Sequence, residues 1–187
     1  MTQLALRNCF LIALPNLAET PFERTVTLLC EHNDDGALGL VINRPMDLEL
    51  PAMLEHLELP CEGLDLMSPA PVYWGGPVNV ERGFVLHRDG SDWESTMHLS
   101  DTLSLTSSRD ILAAIGRGEG PQQFLVMLGY AGWDAGQLER EMGENAWLST
   151  PVDEAIVFDT DTNLRWSAAT GALGIDPLNL SPHTGHA

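Results

Sequence analysis

Residues Thr25–Asn43 read TVTLLCEHNDDGALGLVIN, and no other stretch says more about the fold. Two runs of β-branched and aliphatic residues flank Asn33-Asp34-Asp35-Gly36. Asn and Asp side chains bond their own backbone in turns, and glycine supplies the positive φ that tight turns need. The reading is a β-hairpin, one strand over Thr25–His32 and the other over Ala37–Asn43. Arg44-Pro45 closes the second strand, because proline cannot donate to a ladder.

Upstream, Cys9–Leu14 is an apolar run ended by Pro15, a buried strand too short to cross a bilayer. Downstream, a short helix is expected from Pro51, with Met53, Leu54 and Leu57 on one side. Short strands follow at Val72–Trp74, Gly83–His87, Met97–Leu99 and Leu103–Leu105, and Asp89-Gly90 reads as a turn. Ser107 reads as the N-cap of a helix carrying Ile111, Leu112 and Ile115 and leaving at Gly116 or Gly118. Phe124–Gly129 is apolar throughout, the pattern of a central strand. Asp134 and Gln137 are spaced as in a capping box, before a helix that buries Ala135, Leu138, Met142 and Ala146. Ala155–Phe158 reads as a strand. Asp161 caps a last helix with Leu164, Ala168, Ala169 and Ala172, which ends at Gly174. Strands outnumber helices early and do not alternate regularly with them. The expected class is therefore α+β, with a mixed, largely antiparallel and partly closed sheet flanked by helices. One domain over residues 1–187 is expected, with an irregular tail from about Pro177.

Composition removes several chemistries. Twenty-seven Asp and Glu face nine basic residues, a net charge of −18, and all nine are arginine. Without lysine there is neither a lysine-containing phosphate loop nor a Schiff base. The charge also disfavours direct binding to nucleic acid or to anionic membranes. Cys9, Cys30 and Cys61 form no Cys-x-x-Cys pair, and an odd thiol suits a reducing cytoplasm. No cofactor and no metal are expected. The tail's His183 and His186 are three apart, but Pro182 and Gly185 spoil that spacing for a native site.

Several long motifs fit one family in order. They are Leu29–Asn33 with Gly36–Pro45, then Val72-Tyr73-Trp74-Gly75-Gly76-Pro77-Val78 and Arg82-Gly83-Phe84-Val85-Leu86-His87. Thr106–Asp110, Leu128–Trp133, Gly136–Glu139, Asn145–Leu148 and the closing Gly185-His186-Ala187 follow. Over nearly its whole length the chain resembles the AlgH/YqgE family of bacterial proteins. The resemblance implies a small cytoplasmic α+β protein with a mixed or partly closed sheet. It implies no particular reaction, and the transcriptional-regulator label some members carry comes with the gene name.

The candidate binding residues are His32, Arg44, Gly75, Gly76, Arg82, His87 and Asn145. Cys30 and His32 are two apart in a strand, a spacing open to a nucleophile–base pair as well as to plain burial. Gly75-Gly76-Pro77 is either an anion nest or a tight turn, and proline costs the nest one donor. The Gly116-x-Gly118-x-Gly120 run follows a helix, the reverse of a nucleotide fingerprint, and reads as a helix exit. Asn145, beside an apolar stripe and between Trp133 and Trp147, reads as part of a pocket wall or as a backbone partner. Arg24, Arg44, Arg82, Arg109 and Arg165 are expected to anchor carboxylates or to converge on an anionic small molecule. The favoured function is a binding or regulatory module for a small molecule or a protein. The alternatives are an enzyme using His32, Arg44, Arg82 and His87, with Cys30 as nucleophile, and a regulator of transcription acting indirectly.

Overall fold

The computed structural model describes residues 6–65, 70–88, 91–176 and 179. The tail from Pro177 (Asn179 apart), with His183, His186 and the closing Gly185-His186-Ala187, and the Asp89-Gly90 turn lie outside them. The strands are β1 (Cys9–Ala13), β2 (Val26–Asn33), β3 (Gly36–Val41), β4 (Pro45–Glu49), β5 (Pro71–Trp74), β6 (Val78–His87), β7 (Thr96–His98), β8 (Ser104–Thr106), β9 (Phe124–Asp134) and β10 (Trp147–Pro151). The helices are α1 (Leu50–His56), α2 (Arg109–Gly116), α3 (Gln137–Gly143), α4 (Glu154–Phe158) and α5 (Arg165–Ala172). The class is α+β, and the pairing is antiparallel except between β5 and β9. Among the described residues no helix is long and apolar enough to cross a membrane.

The chain forms two compact units. The first comprises the residues up to Asn43 and those from Ala131 on. Its strand order is β10-β1-β2-β3, with β3 pairing Ala131–Asp134 of β9. The hairpin is as read: Asn33 faces Gly36, and Asn33 Oδ1 accepts the Asp35 amide at 2.8 Å. The core gathers Leu11, Leu29, Leu138, Trp133 and Trp147. The two indoles meet edge to face at 5.8 Å, a geometry favoured by the ring quadrupoles.

The second unit runs from Arg44 to Tyr130. Here β9 pairs with β6, β6 with β8 and β8 with β7, while β5 lies parallel to β9 and β4 pairs with β5. Met53, Leu54, Ile111, Leu112 and Ile115 of the two helices pack with Val72, Val85 and Val126 of the strands. The expected helix exit after α2 is a close backbone crossing: a Cβ on Gly116 would lie 1.8 Å from the Pro60 carbonyl oxygen.

One irregularity shapes this unit. Val78 faces Tyr130, yet Gly83 faces Leu128, so Asn79–Arg82 leave the ladder opposite the single residue Gly129. Gly129 has φ +76°, and a Cβ there would lie 2.4 Å from the Gly76 oxygen. The excursion therefore needs glycine at this crossing.

Some expectations are corrected. Ala155–Phe158 is helix, not strand, because Asp153 Oδ1 caps it by accepting the Ala155 amide at 3.0 Å. α3 stops at Gly143, so Ala146 is buried on the exit and not on the helix stripe. Gln137 Oε1 does accept the Asp134 amide at 2.9 Å, the backward half of the expected box. α2 starts one residue later than read, with Ser108 at the N-cap. Strands β4 and β10 escaped the sequence reading.

Candidate functional site

The second unit holds a cleft of about 610 Å³. Its floor is apolar: Met53 and Leu57 from α1 and its exit, Leu112 from α2, Val85 from β6 and Leu128 from β9. Val80 and Glu81 of the β6 excursion form one lip, and Val80 is 52% exposed. The other lip is polar, Thr106-Ser107-Ser108-Arg109 leading into α2, with His56 nearby. Two amphipathic helices over a sheet face bury most of their apolar stripes, and the excursion keeps the last part open.

Hydrogen bonds make the polar lip rigid. Ser108 Oγ donates to Asp110 Oδ1 at 2.5 Å and accepts the Ser95 amide at 3.1 Å. Asp110 also accepts the Ile111 and Glu94 amides, at 3.0 and 2.9 Å. Burial pushes the Asp110 carboxyl up, but the Ser108 hydroxyl and these amides outweigh it and hold it below the ordinary carboxylate value. Arg109 Nη2 donates to the Leu57 carbonyl at 2.8 Å, which fixes the guanidinium at the lip. That bond uses one of five guanidinium N–H groups, and the others meet no protein acceptor among the described residues.

A polar network lies along one edge of the unit. His87, fully buried, bonds Thr106 Oγ1 through Nε2 at 2.8 Å, and Thr106 Oγ1 meets Thr96 Oγ1 at 2.9 Å. Beside it, His98 Nδ1 meets Ser104 Oγ at 2.8 Å and His98 Nε2 meets Asp92 Oδ1 at 2.7 Å. This Asp–His–Ser line resembles a hydrolase triad in composition, and no sequence motif announced it. Ser104 is fully buried, however, so no acyl group can reach it, and the line instead ties β7 to β8.

Of the candidate binding residues in this unit, none lines the cleft, and His87 reaches its wall only through Thr106; of the arginines expected to anchor an acid, Arg109 does line it. Arg82 lies in the excursion, exposed, with its guanidinium 5.2 Å from the Phe84 ring centre. It lies midway along β6, whereas His87 ends the strand. Arg44 and the glycine pair do come together: the Arg44 carbonyl accepts the Trp74 amide at 2.8 Å. Gly75 spends its N–H on the Leu128 carbonyl at 2.8 Å, and Pro77 has none. The segment thus offers an anion little, and the tight-turn reading fits it better.

In the first unit, His32 Nδ1 accepts the Leu6 amide at 3.2 Å and its Nε2 meets Glu139 Oε1 at 2.5 Å. Cys30 turns to its own strand, Sγ donating to the Leu28 carbonyl at 3.6 Å. Burial pushes its thiol up to about 12, the reverse of an activated nucleophile. The Cys30–His32 pair is therefore no nucleophile and base. Asn145 is exposed just beyond α3 with φ +59°, a helix-exit residue whose carbonyl accepts Asn16 Nδ2 at 3.2 Å. The buried polar group on that helix is instead Glu141, whose Oε2 has no partner among the described residues. No cluster of metal-binding side chains occurs among the described residues. Of the cleft's residues, Met53, Leu57 and Leu112 were visible in the sequence as helix stripe, Ser107 as a cap and Val85 and Leu128 as strand; only the tertiary fold shows that they share one hollow.

A family model described as AlgH-like matches residues 10–178. A UPF0301 protein of Azoarcus sp. (strain BH72) is 53% identical over 97% of this chain and 96% of its own length. One from Nitrosococcus oceani is 51% identical over the same shares. The solution structure of the AlgH protein from Pseudomonas aeruginosa superposes with a TM-score of 0.80 at 47% identity, covering 100% of both chains. A crystal structure from Corynebacterium diphtheriae, 18% identical, shares the fold at a TM-score of 0.73, over 96% of this chain and 93% of its own.

Proposed function

The chain belongs to the AlgH-like family, and on that footing we propose that it is a cytoplasmic small-molecule-binding module, with the cleft of the second unit as its ligand site. One observation carries the reading: a hollow of about 610 Å³ with an apolar floor and a few fixed polar groups on one lip. That volume and that division of labour are typical of small-ligand sites. The unbonded cysteines Cys9, Cys30 and Cys61 suit the reducing cytoplasm. A role in transcription is compatible only through the ligand or a protein partner, because a net charge of −18 opposes contact with phosphates.

The test is a metabolite screen by thermal shift, run in parallel on the Leu112→Trp variant, whose indole fills the cleft. A ligand present at ~100 times its Kd adds about 2.7 kcal/mol of stability, a rise of roughly 5–11 °C for a chain of this size. The rise is expected in the wild type and not in the variant. Stabilisers that act equally on both would bind elsewhere and refute the site.

A second reading, hydrolysis, is favoured by the 2.8 Å contact of His87 with Thr106 on the cleft wall. Against it, Thr106 is fully buried and shares its hydroxyl with Thr96. Turnover of short-chain nitrophenyl esters that vanishes in both Thr106→Val and His87→Gln would establish it; no turnover removes it.

A further inference from the structure

Resting on the cleft reading, we infer the class of its ligand: an amphiphilic monocarboxylate, its chain on the Met53–Leu112–Leu128 floor and its acid group on Arg109. Arg109 is exposed on the lip, and a wholly apolar ligand would displace part of its water while offering its free donors nothing in return. A ligand that brings an acceptor of its own is therefore favoured. The guanidinium is already oriented by its 2.8 Å bond to the Leu57 carbonyl, so little side-chain freedom is lost when its remaining donors engage. A planar fork of donors fits a planar carboxylate in bidentate fashion. Ser107 and His56, on the same lip, supply further polar contacts.

The same geometry disfavours a phosphate. Phosphates favour helix N-termini, where several amides converge. At α2 the Asp110 carboxylate already sits there, accepting the Ile111 amide of the first turn and the Glu94 amide beside it, so a second anion would meet its charge. Glu81, across the cleft, adds a negative charge that opposes a dianion more than a single carboxylate.

The experiment is isothermal titration of the full chain with decanoate, decanol and decyl phosphate, each kept below its micelle-forming concentration. Decanoate is expected to bind at least ten-fold more tightly than the other two. Arg109→Gln should bring decanoate down to the level of decanol, and Arg109→Lys, which keeps the charge without the fork, should fall between. Circular dichroism of both variants checks that they are folded. Equal affinity for all three ligands, or a preference that survives Arg109→Gln, overturns the carboxylate assignment while leaving the cleft as a site. Failure of all three to bind, or binding untouched by Leu112→Trp, overturns the cleft reading and this inference with it.

Discussion

Three glycine-to-alanine substitutions separate two costs that the structure places at different positions. At Gly143, the last residue of α3, an added Cβ meets nothing within 4 Å and φ is ordinary. Alanine there restricts only the unfolded chain and should stabilise by about 0.4–1 kcal/mol. At Gly136 the space is equally open, but φ is +75°. The left-handed penalty of about 1–2 kcal/mol then offsets that gain, leaving a loss of roughly 1 kcal/mol. At Gly129 φ is +76° and the Cβ would also sit 2.4 Å from the Gly76 oxygen and 3.2 Å from the Val78 oxygen. Both neighbours are backbone, so relief requires moving a strand, at about 1–3 kcal/mol more. The expected order is Gly143→Ala above wild type, Gly136→Ala slightly below and Gly129→Ala lowest, at about 2–4 kcal/mol. Urea titration followed by far-ultraviolet circular dichroism reads this as midpoint shifts at constant slope. At roughly 2–4 °C per kcal/mol, Gly129→Ala should lower Tm by about 5–15 °C. If Gly129→Ala falls within about 0.5 kcal/mol of Gly136→Ala, the crossing is not tight, and the account of why β6 leaves its ladder beside the cleft fails.

Other consequences follow from buried groups and from charge. Burial pushes the Glu141 carboxyl up from 4.5; the Trp133 hydrogen bond and Arg140 lower it, and Glu144 raises it further. The folded protein then holds this proton more tightly than the unfolded chain, so stability falls as pH rises from about that value through the raised one. Glu141→Gln should gain on the wild type at pH 7 and lose that advantage near pH 4; a gap of the same size at both would refute the assignment. The Cys30 thiol, pushed up to about 12 in the core, should react with iodoacetamide only as fast as the protein opens. Peptide mapping that finds Cys30 labelled at the rate of a free thiol would contradict its burial. Duplex DNA should show no mobility shift even at low salt, and a shift that weakens steeply with added salt would reinstate direct binding.

What the sequence discloses depends on how local the cause is. The Asn33–Gly36 turn and the α2 stripe of Ile111, Leu112 and Ile115 are legible because turn chemistry and helical spacing act over a few residues. Ala155–Phe158 is ambiguous on those terms: an apolar run of four fits a buried strand or one helical turn, and the deciding cap at Asp153 is a single side chain. β4 carries Met46 and Leu48 alternating with Asp47 and Glu49, a strand pattern hidden by the proline at its start. β10 is drawn into the sheet by five paired positions on β1, while its Ser149, Thr150 and Pro151 read as loop. Site residues fare worse than elements, because burial and partnership are tertiary. Cys30 and His32 have the spacing of a reactive pair, yet the fold gives each a separate partner.

The arginines show the same limit and return to the charge. With 27 carboxylates in the chain, ion pairs are the natural expectation, and several of the arginines also make contacts of another kind. Arg24 stacks 5.3 Å from the Trp166 ring centre, Arg82 stacks on Phe84, and Arg109 donates to a carbonyl. Arg165, buried, donates to the carbonyls of Ile42 and Thr160. A flat, delocalised cation can lie on a ring or serve two carbonyls at once; a lysine ammonium does either less well. An exposed pair such as Arg117 with Glu119 is worth little by comparison. Nor does a net charge of −18 forbid an acidic ligand. Charges more than about 8 Å away are largely screened at physiological ionic strength, so a carboxylate in the cleft responds mainly to the charges of Arg109 and Glu81. A polyanion spread over the whole surface meets the full excess of negative charge, whereas a single acid group placed against one guanidinium does not.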